Sequence, residues 1–152
     1  MPNTPCLVGR GVSALIQSNL TESEIVLATY IFNSVGKTIW VQNEEWMHAI
    51  TAVSGSGPAY FFHMMDLLKT AAMKSGIPED IAETLSVQTA IGSSQLALNS
   101  ADDLLTLKKK VMSPGGTTEA AFKSLDENDL DKVWNEAIEA ARNRSIELGR
   151  NK

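Results

Sequence analysis

The sequence predicts a mainly α protein: an all-helical domain over residues 44–152, preceded by a strand–helix–strand unit over residues 1–43. Three observations carry this reading. Apolar residues recur at helical spacing from Asn43 to the end. Two short runs of β-type pattern flank a single helical run before that point. Glycine and proline punctuate the helical part at Ser54-Gly55-Ser56-Gly57-Pro58, at Gly76-Ile77-Pro78 and at Ser113-Pro114-Gly115-Gly116.

Met1-Pro2-Asn3-Thr4-Pro5 is expected to be a loop, and Gly11–Gln17 a short strand. Thr21 and Glu24 have the spacing of a capping box, so a helix follows, and Gly36 is expected to stop it in a left-handed conformation. Lys37–Val41 is a second strand. Two parallel strands and one helix cannot cover their own faces and edges, so the chain is expected to begin inside a larger α/β domain, the alternative being that the strands pack on the helical part. Asn43 is placed to cap the first helix of the helical part, which Ser54–Gly57 should break. Pro58 suits the first turn of a long helix, Gly76 its end, and Pro78 the start of another reaching about Asn99. Ser100–Asp103 caps a short helix, Thr117 or Thr118 the next, and Asp129 the last.

The helix over 58–75 is apolar on more than one face, with Phe61, Phe62, Met64, Met65, Leu67 and Leu68 among its residues. A helix of this kind lies deep in a core or in an interface. With only about 110 residues of helical domain, an intertwined homodimer explains it better than a monomeric bundle would.

Composition narrows the function. The 152 residues are 43% hydrophobic and 20% charged with a net charge of −5, which is ordinary globular material and argues against a nucleic-acid binder. Lys108-Lys109-Lys110 reads as a solvated helix end. The one cysteine, Cys6, excludes an internal disulfide, and no run approaches the ~18 apolar residues of a membrane span. A cytoplasmic location is the expectation. His48 and His63 lack partners at helical ligand spacing, so no metal is expected.

The most informative stretch is Val111-Met112-Ser113-Pro114-Gly115-Gly116-Thr117-Thr118. Proline and two glycines deliver the chain tightly into a helix start, where free N–H groups form a site for a carboxylate or phosphate.

Four segments taken together carry a family resemblance: Met1–Pro5, Ser54–Tyr60, Gln88-Thr89 with Gly92, and Ser113–Thr118. In order and spacing they resemble pyrroline-5-carboxylate reductase over essentially the whole chain. The resemblance implies an N-terminal Rossmann domain followed by a helical dimerisation domain, with residues 1–43 similar to the tail of the former. It also implies reduction of 1-pyrroline-5-carboxylate to L-proline with NADPH or NADH, in proline biosynthesis. No Gly-x-Gly-x-x-Gly follows a strand here, so NADP or NAD would bind mostly outside this chain, which alone is expected to be inactive.

The substrate is a cyclic imine with a carboxylate, so the protein must grip the anion, place the ring and offer a hydrogen bond near nitrogen. By resemblance, Ser113, Gly115, Gly116, Thr117 and Thr118 bind the substrate, and Thr118 also lies near the reacting ring. Thr51 resembles a residue beside the nicotinamide and the imine. Asn3, Thr4 and Lys110 resemble residues on the cofactor side. Read without the resemblance, Thr51 bonds back to its own helix, Asn3 and Thr4 shape a turn, and Ser54–Pro58 lets two helices cross on small residues.

The chain departs from the family at several positions. Lys109 and Lys110 replace an acidic and a neutral residue, Met112 a small hydroxyl residue, Ala101 an acidic one and Phe122 a smaller aliphatic. Asn128-Asp129 replaces a usual glycine pair, with Asn128 expected to take the left-handed position. The alternative reading is a non-catalytic helical dimerisation module. A helical domain from a hydroxy-acid dehydrogenase ranks last, because no lysine sits where that chemistry needs one.

Overall fold

The computed structural model describes residues 1–150. Strands β1 (Gly11–Ile16) and β2 (Gly36–Val41) pair in parallel, from Gly11 opposite Gly36 to Ile16 opposite Val41. Helix α1 (Glu22–Asn33) connects them and starts in the expected capping box. Thr21 Oγ1 accepts the Glu24 N–H at 3.3 Å, and Glu24 Oε2 accepts the Thr21 N–H at 2.7 Å. The Trp40 indole donates to Thr29 Oγ1 at 2.9 Å, and that hydroxyl donates to the Ile25 carbonyl at 2.7 Å, tying α1 to β2.

Gly36 does not stop α1. The helix ends at Asn33 with Ser34 as a right-handed cap, and Gly36 is the first residue of β2, with φ +154. A side chain there would put its Cβ 2.0 Å from the Gly11 carbonyl oxygen, so close strand approach, and not helix termination, demands the glycine. The opening segment is also more ordered than a loop, since Thr4–Val8 forms a 3-10 turn. The edge of β1 away from β2 is covered: the Ala14 N–H donates to the Met1 carbonyl and the Val12 N–H to Asn3 Oδ1, both at 2.9 Å.

Six further helices follow: α2 (Trp46–Ile50), α3 (Gly57–Lys74), α4 (Glu79–Asn99), α5 (Leu104–Lys110), α6 (Thr117–Glu127) and α7 (Leu130–Arg150). Asn43 organises the entry to α2 by accepting the Glu45 N–H on its side chain at 2.9 Å. Ser54–Gly57 does not break the helical path. Thr51–Gly55 instead makes one π-helical turn, in which the Ser56 N–H reaches back five residues to the Thr51 carbonyl at 2.9 Å. Beyond α3, the Gly76 N–H bonds the Met73 carbonyl at 3.0 Å and the Ile77 N–H the Ala72 carbonyl at 3.2 Å, a Schellman ending. Asp103 caps α5 by accepting the Thr106 N–H at 2.7 Å. Ahead of α7, Asp129 takes the left-handed conformation at φ +53 while Asn128 stays at φ −101, the reverse of the expectation. Asp129 meets α7 through its carbonyl, which accepts the Val133 N–H at 3.1 Å.

The chain divides into two compact units. Met1–Phe61 with residues from Asn135 onward form one, and Phe62–Trp134 the other. In the first, His48 Nδ1 meets Ser145 Oγ at 3.0 Å. In the second, Ser86 Oγ donates to the Met65 carbonyl at 2.5 Å, and Lys69 bridges Glu79 at 2.8 Å and Glu83 at 2.9 Å.

Little apolar surface is covered. Ala14, Val41, Ala52 and Ala82 are the buried apolar residues, whereas Phe61, Phe62, Leu67 and Leu68 on α3 and Ile81, Leu85 and Ile91 on α4 are exposed. The chain exposes 11351 Å². A compact monomer of 16.4 kDa would expose about 7,500 Å².

Candidate functional site

The segment between α5 and α6 is a type II turn followed by an open helix start. The Gly116 N–H donates to the Ser113 carbonyl at 2.9 Å, with Pro114 and Gly115 at the turn's centre. Pro114 supplies the fixed φ of the second position, and Gly115, at φ +69, the positive φ of the third. Gly116 is required by proximity: a Cβ there would lie 2.9 Å from the Ser113 oxygen.

Neither Thr117 nor Thr118 caps α6. Gly116 occupies the cap position, and Thr117 is the first helical residue. Glu119 was not anticipated as a participant: its Oε2 accepts the Gly115 N–H at 2.7 Å. Its spacing from Gly116 is that of a capping box, which is the signal that could have found it. The box is displaced one residue outward because the Gly116 N–H is already used by the turn. Among the described residues, no acceptor meets the N–H groups of Thr117, Thr118 or Glu119, and no partner meets the hydroxyls of Ser113, Thr117 or Thr118. Ser113 and Thr117 are exposed and Thr118 is half-buried. Unpaired donors thus converge at the positive end of the α6 dipole, an arrangement suited to an anion.

The lysines before the turn are partly committed. Lys110 pairs with Asp102, and its ammonium holds the Asp102 carboxyl below the usual range. Lys108 Nζ sits 3.8 Å from the centre of the Phe122 ring, so Phe122 links α5 to α6 by a cation–π contact. Lys109 is exposed.

Thr51, Asn3 and Thr4 belong to the other compact unit. Thr51 is half-buried and opens the π-helical turn. Its hydroxyl donates to the Met47 carbonyl at 2.7 Å, which leaves the oxygen lone pairs as its remaining capacity. Ser54 Oγ bonds the Ile50 carbonyl at 2.9 Å in the same way. The Asn3 amide is used at both ends, since Nδ2 donates to the Ser54 carbonyl at 3.0 Å while Oδ1 accepts from Val12. Thr4 is exposed. A Cβ on Gly57 would meet nothing within 4 Å, whereas one on Gly55 would lie 2.9 Å from the Met1 side chain.

The described residues contain no group of three acidic, histidine or cysteine side chains arranged to hold a metal, and no helix long and apolar enough to cross a membrane. The helix after β1 starts in its capping box, with Glu22 and Glu24 as acidic residues of its first turn.

Residues 44–148 match the family model described as pyrroline-5-carboxylate reductase dimerisation. The chain is 41% identical over 149 residues to the pyrroline-5-carboxylate reductase of Pseudomonas aeruginosa, covering 97% of this chain and 55% of that protein. It is 38% identical to the one of Pisum sativum, covering 97% and 54%. Among solved structures, a pyrroline-5-carboxylate reductase from Coxiella burnetii aligns at a TM-score of 0.93 and 40% identity, over 97% of this chain and 55% of that one. A Plasmodium falciparum pyrroline carboxylate reductase with NADP bound aligns at 0.89 and 35% identity, over 98% and 61%. The chain therefore spans about half the length of the relatives it matches. The likeness to the first structure covers the strand–helix–strand unit as well as the helices, and by its helical part this chain belongs to the pyrroline-5-carboxylate reductase dimerisation family.

Proposed function

We propose that this chain is the substrate-gripping and dimer-forming part of a pyrroline-5-carboxylate reductase, which converts 1-pyrroline-5-carboxylate to L-proline. The observation that carries the reading is the Ser113–Thr118 turn with its unpaired donors at the α6 start. The substrate carboxylate is received by the N–H groups of Thr117 and Thr118 and by the hydroxyls of Ser113, Thr117 and Thr118. Gly115 and Gly116 let the backbone approach closely. Thr118, the half-buried one of the two threonines, lies beside the ring.

Thr51 takes the imine end. Its proton is committed to Met47, so its oxygen accepts a hydrogen bond and does not give one. The protonated imine carries an N–H, and an acceptor there holds the iminium form that hydride addition requires. A neutral hydroxyl suits this role because the iminium brings its own proton.

NADPH or NADH supplies the hydride. The dinucleotide would be held mostly outside these residues, with Asn3, Thr4 and Lys110 on its side of the site. The partner is a second copy of the chain, set against the exposed apolar faces of α3 and α4.

Dinucleotide oxidation driven by pyrroline-5-carboxylate tests the reading in a complete enzyme carrying this chain. Thr118→Ala should raise the substrate KM or lower kcat at least several-fold; wild-type kinetics would remove Thr118 from the site. The chain alone should not turn over, and measurable turnover would contradict its proposed part. The exposed faces of α3 and α4 equally favour a non-catalytic dimerisation module. In that case substitutions in Ser113–Thr118 change stability only.

A further inference from the structure

We propose that Asn3 is a positioning residue for Thr51, holding the π-helical turn in place through the carbonyl of Ser54. This rests on the reading of Thr51 as the acceptor at the imine. In an α-helix the Ser54 carbonyl would receive the N–H of residue 58, but residue 58 is proline and has none. The half-buried Asn3 supplies the missing donor, with Nδ2 3.0 Å from the Ser54 oxygen. The same amide is anchored at its other end, where Oδ1 accepts the Val12 N–H of β1 at 2.9 Å. One side chain thus ties the strand unit to the turn that carries Thr51.

Ser54 lies three residues beyond Thr51, within the same π-helical turn. The turn is wide, closed by the Ser56 N–H on the Thr51 carbonyl at 2.9 Å. A π-helical turn is less stable than the α-helical turn it displaces, so it persists only where outside contacts fix it. Removing the Asn3 donor takes this hydrogen bond from the Ser54 carbonyl and lets the turn relax toward regular geometry. That moves Thr51 Oγ1, and displacements on the order of 1 Å at a reacting group cost up to about a hundredfold in rate. The carboxylate grip lies on a different segment and is unaffected.

The test compares Asn3→Ala, Asn3→Asp and Asn3→Ala with Pro58→Ala in a complete reductase carrying this chain, with Thr51→Ala as reference. Asn3→Asp keeps the acceptor for Val12 and turns the donor into a carboxylate oxygen facing the Ser54 carbonyl, so it stays informative if Asn3→Ala folds poorly. The expected result is a kcat lower by on the order of tenfold, with the KM for pyrroline-5-carboxylate and for the dinucleotide each within about twofold. Amide exchange at Ser56 should quicken in the same variants, and Pro58→Ala, which supplies the α-helical donor to Ser54 and so favours regular geometry, should not recover the kcat. A raised dinucleotide KM with unchanged kcat would make Asn3 a cofactor contact and overturn the proposal. So would unchanged kcat and unchanged Ser56 exchange. If Thr51→Ala keeps the full kcat, the reading of Thr51 itself fails, whatever Asn3 does.

Discussion

The carboxylate of Glu119 accepts the N–H of Gly115 at 2.7 Å, fastening the turn to the first turn of the helix it precedes. It spends no donor that an anion would use, because the N–H groups of Thr117 and Thr118 stay open. Glutamine can accept the same bond, so Glu119→Gln should hold the affinity for L-proline within about threefold. Glu119→Ala should weaken it several-fold and cost about 1 kcal/mol of stability, the usual effect of a lost cap. Calorimetric titration and thermal melting read the two effects; tighter binding by Glu119→Gln would mean that the charge repels the ligand and does not merely fix the turn.

The two glycines of the turn should fail differently. Gly115→Ala strains a φ of +69 and should cost about 1 kcal/mol while leaving weakened binding. Gly116→Ala drives a Cβ to 2.9 Å from the Ser113 oxygen, which is backbone and cannot step aside. It should abolish detectable L-proline binding even in a folded protein, as circular dichroism and titration together would show. Wild-type affinity in Gly116→Ala would disprove the close approach.

In the strand unit, Gly36→Ala places a Cβ 2.0 Å from the Gly11 oxygen. Pairing at the start of the sheet must open, at a cost of about 2 kcal/mol or more. Denaturant unfolding should show a midpoint well below that of the parent. An unchanged midpoint would mean that the strands do not meet at this register.

Acid should loosen two helix starts. The Thr21 N–H holds the Glu24 carboxyl below its ordinary value, and the Thr106 N–H does the same for Asp103. For carboxylates depressed in the folded state, the stabilisation is fully present above the unfolded value, about pH 4, and is lost as pH falls through the folded value. Helicity and stability should therefore hold from neutral pH to about pH 5 and decline below pH 4, with Glu24→Gln and Asp103→Asn flattening the decline. An undiminished slope in the double variant would show that these two caps carry none of it.

Much of the fold was legible because its signals are local. The Thr21–Glu24 box, the Asp103 cap, the Gly76 ending and the glycine turn each depend on a few adjacent residues. What the sequence hid depends on partners far along the chain. Gly36 resembles a helix stop, yet its reason is Gly11, across the strand pair. Ser54–Gly57 resembles a break, yet Asn3 fills the acceptor that Pro58 leaves open, and the path stays helical. Glu119 was concealed because its box is displaced by the turn before it. The apolar α3 was correctly unusual: its faces remain exposed in the single chain.

Nuclear magnetic resonance titration of this chain with L-proline tests the carboxylate grip most directly. Weak, saturable shifts centred on the amides of Thr117 and Thr118 are expected, absent in Gly116→Ala and diminished in Thr118→Ala. A folded chain whose Ser113–Thr118 amides do not respond to L-proline would contradict the assignment of that turn.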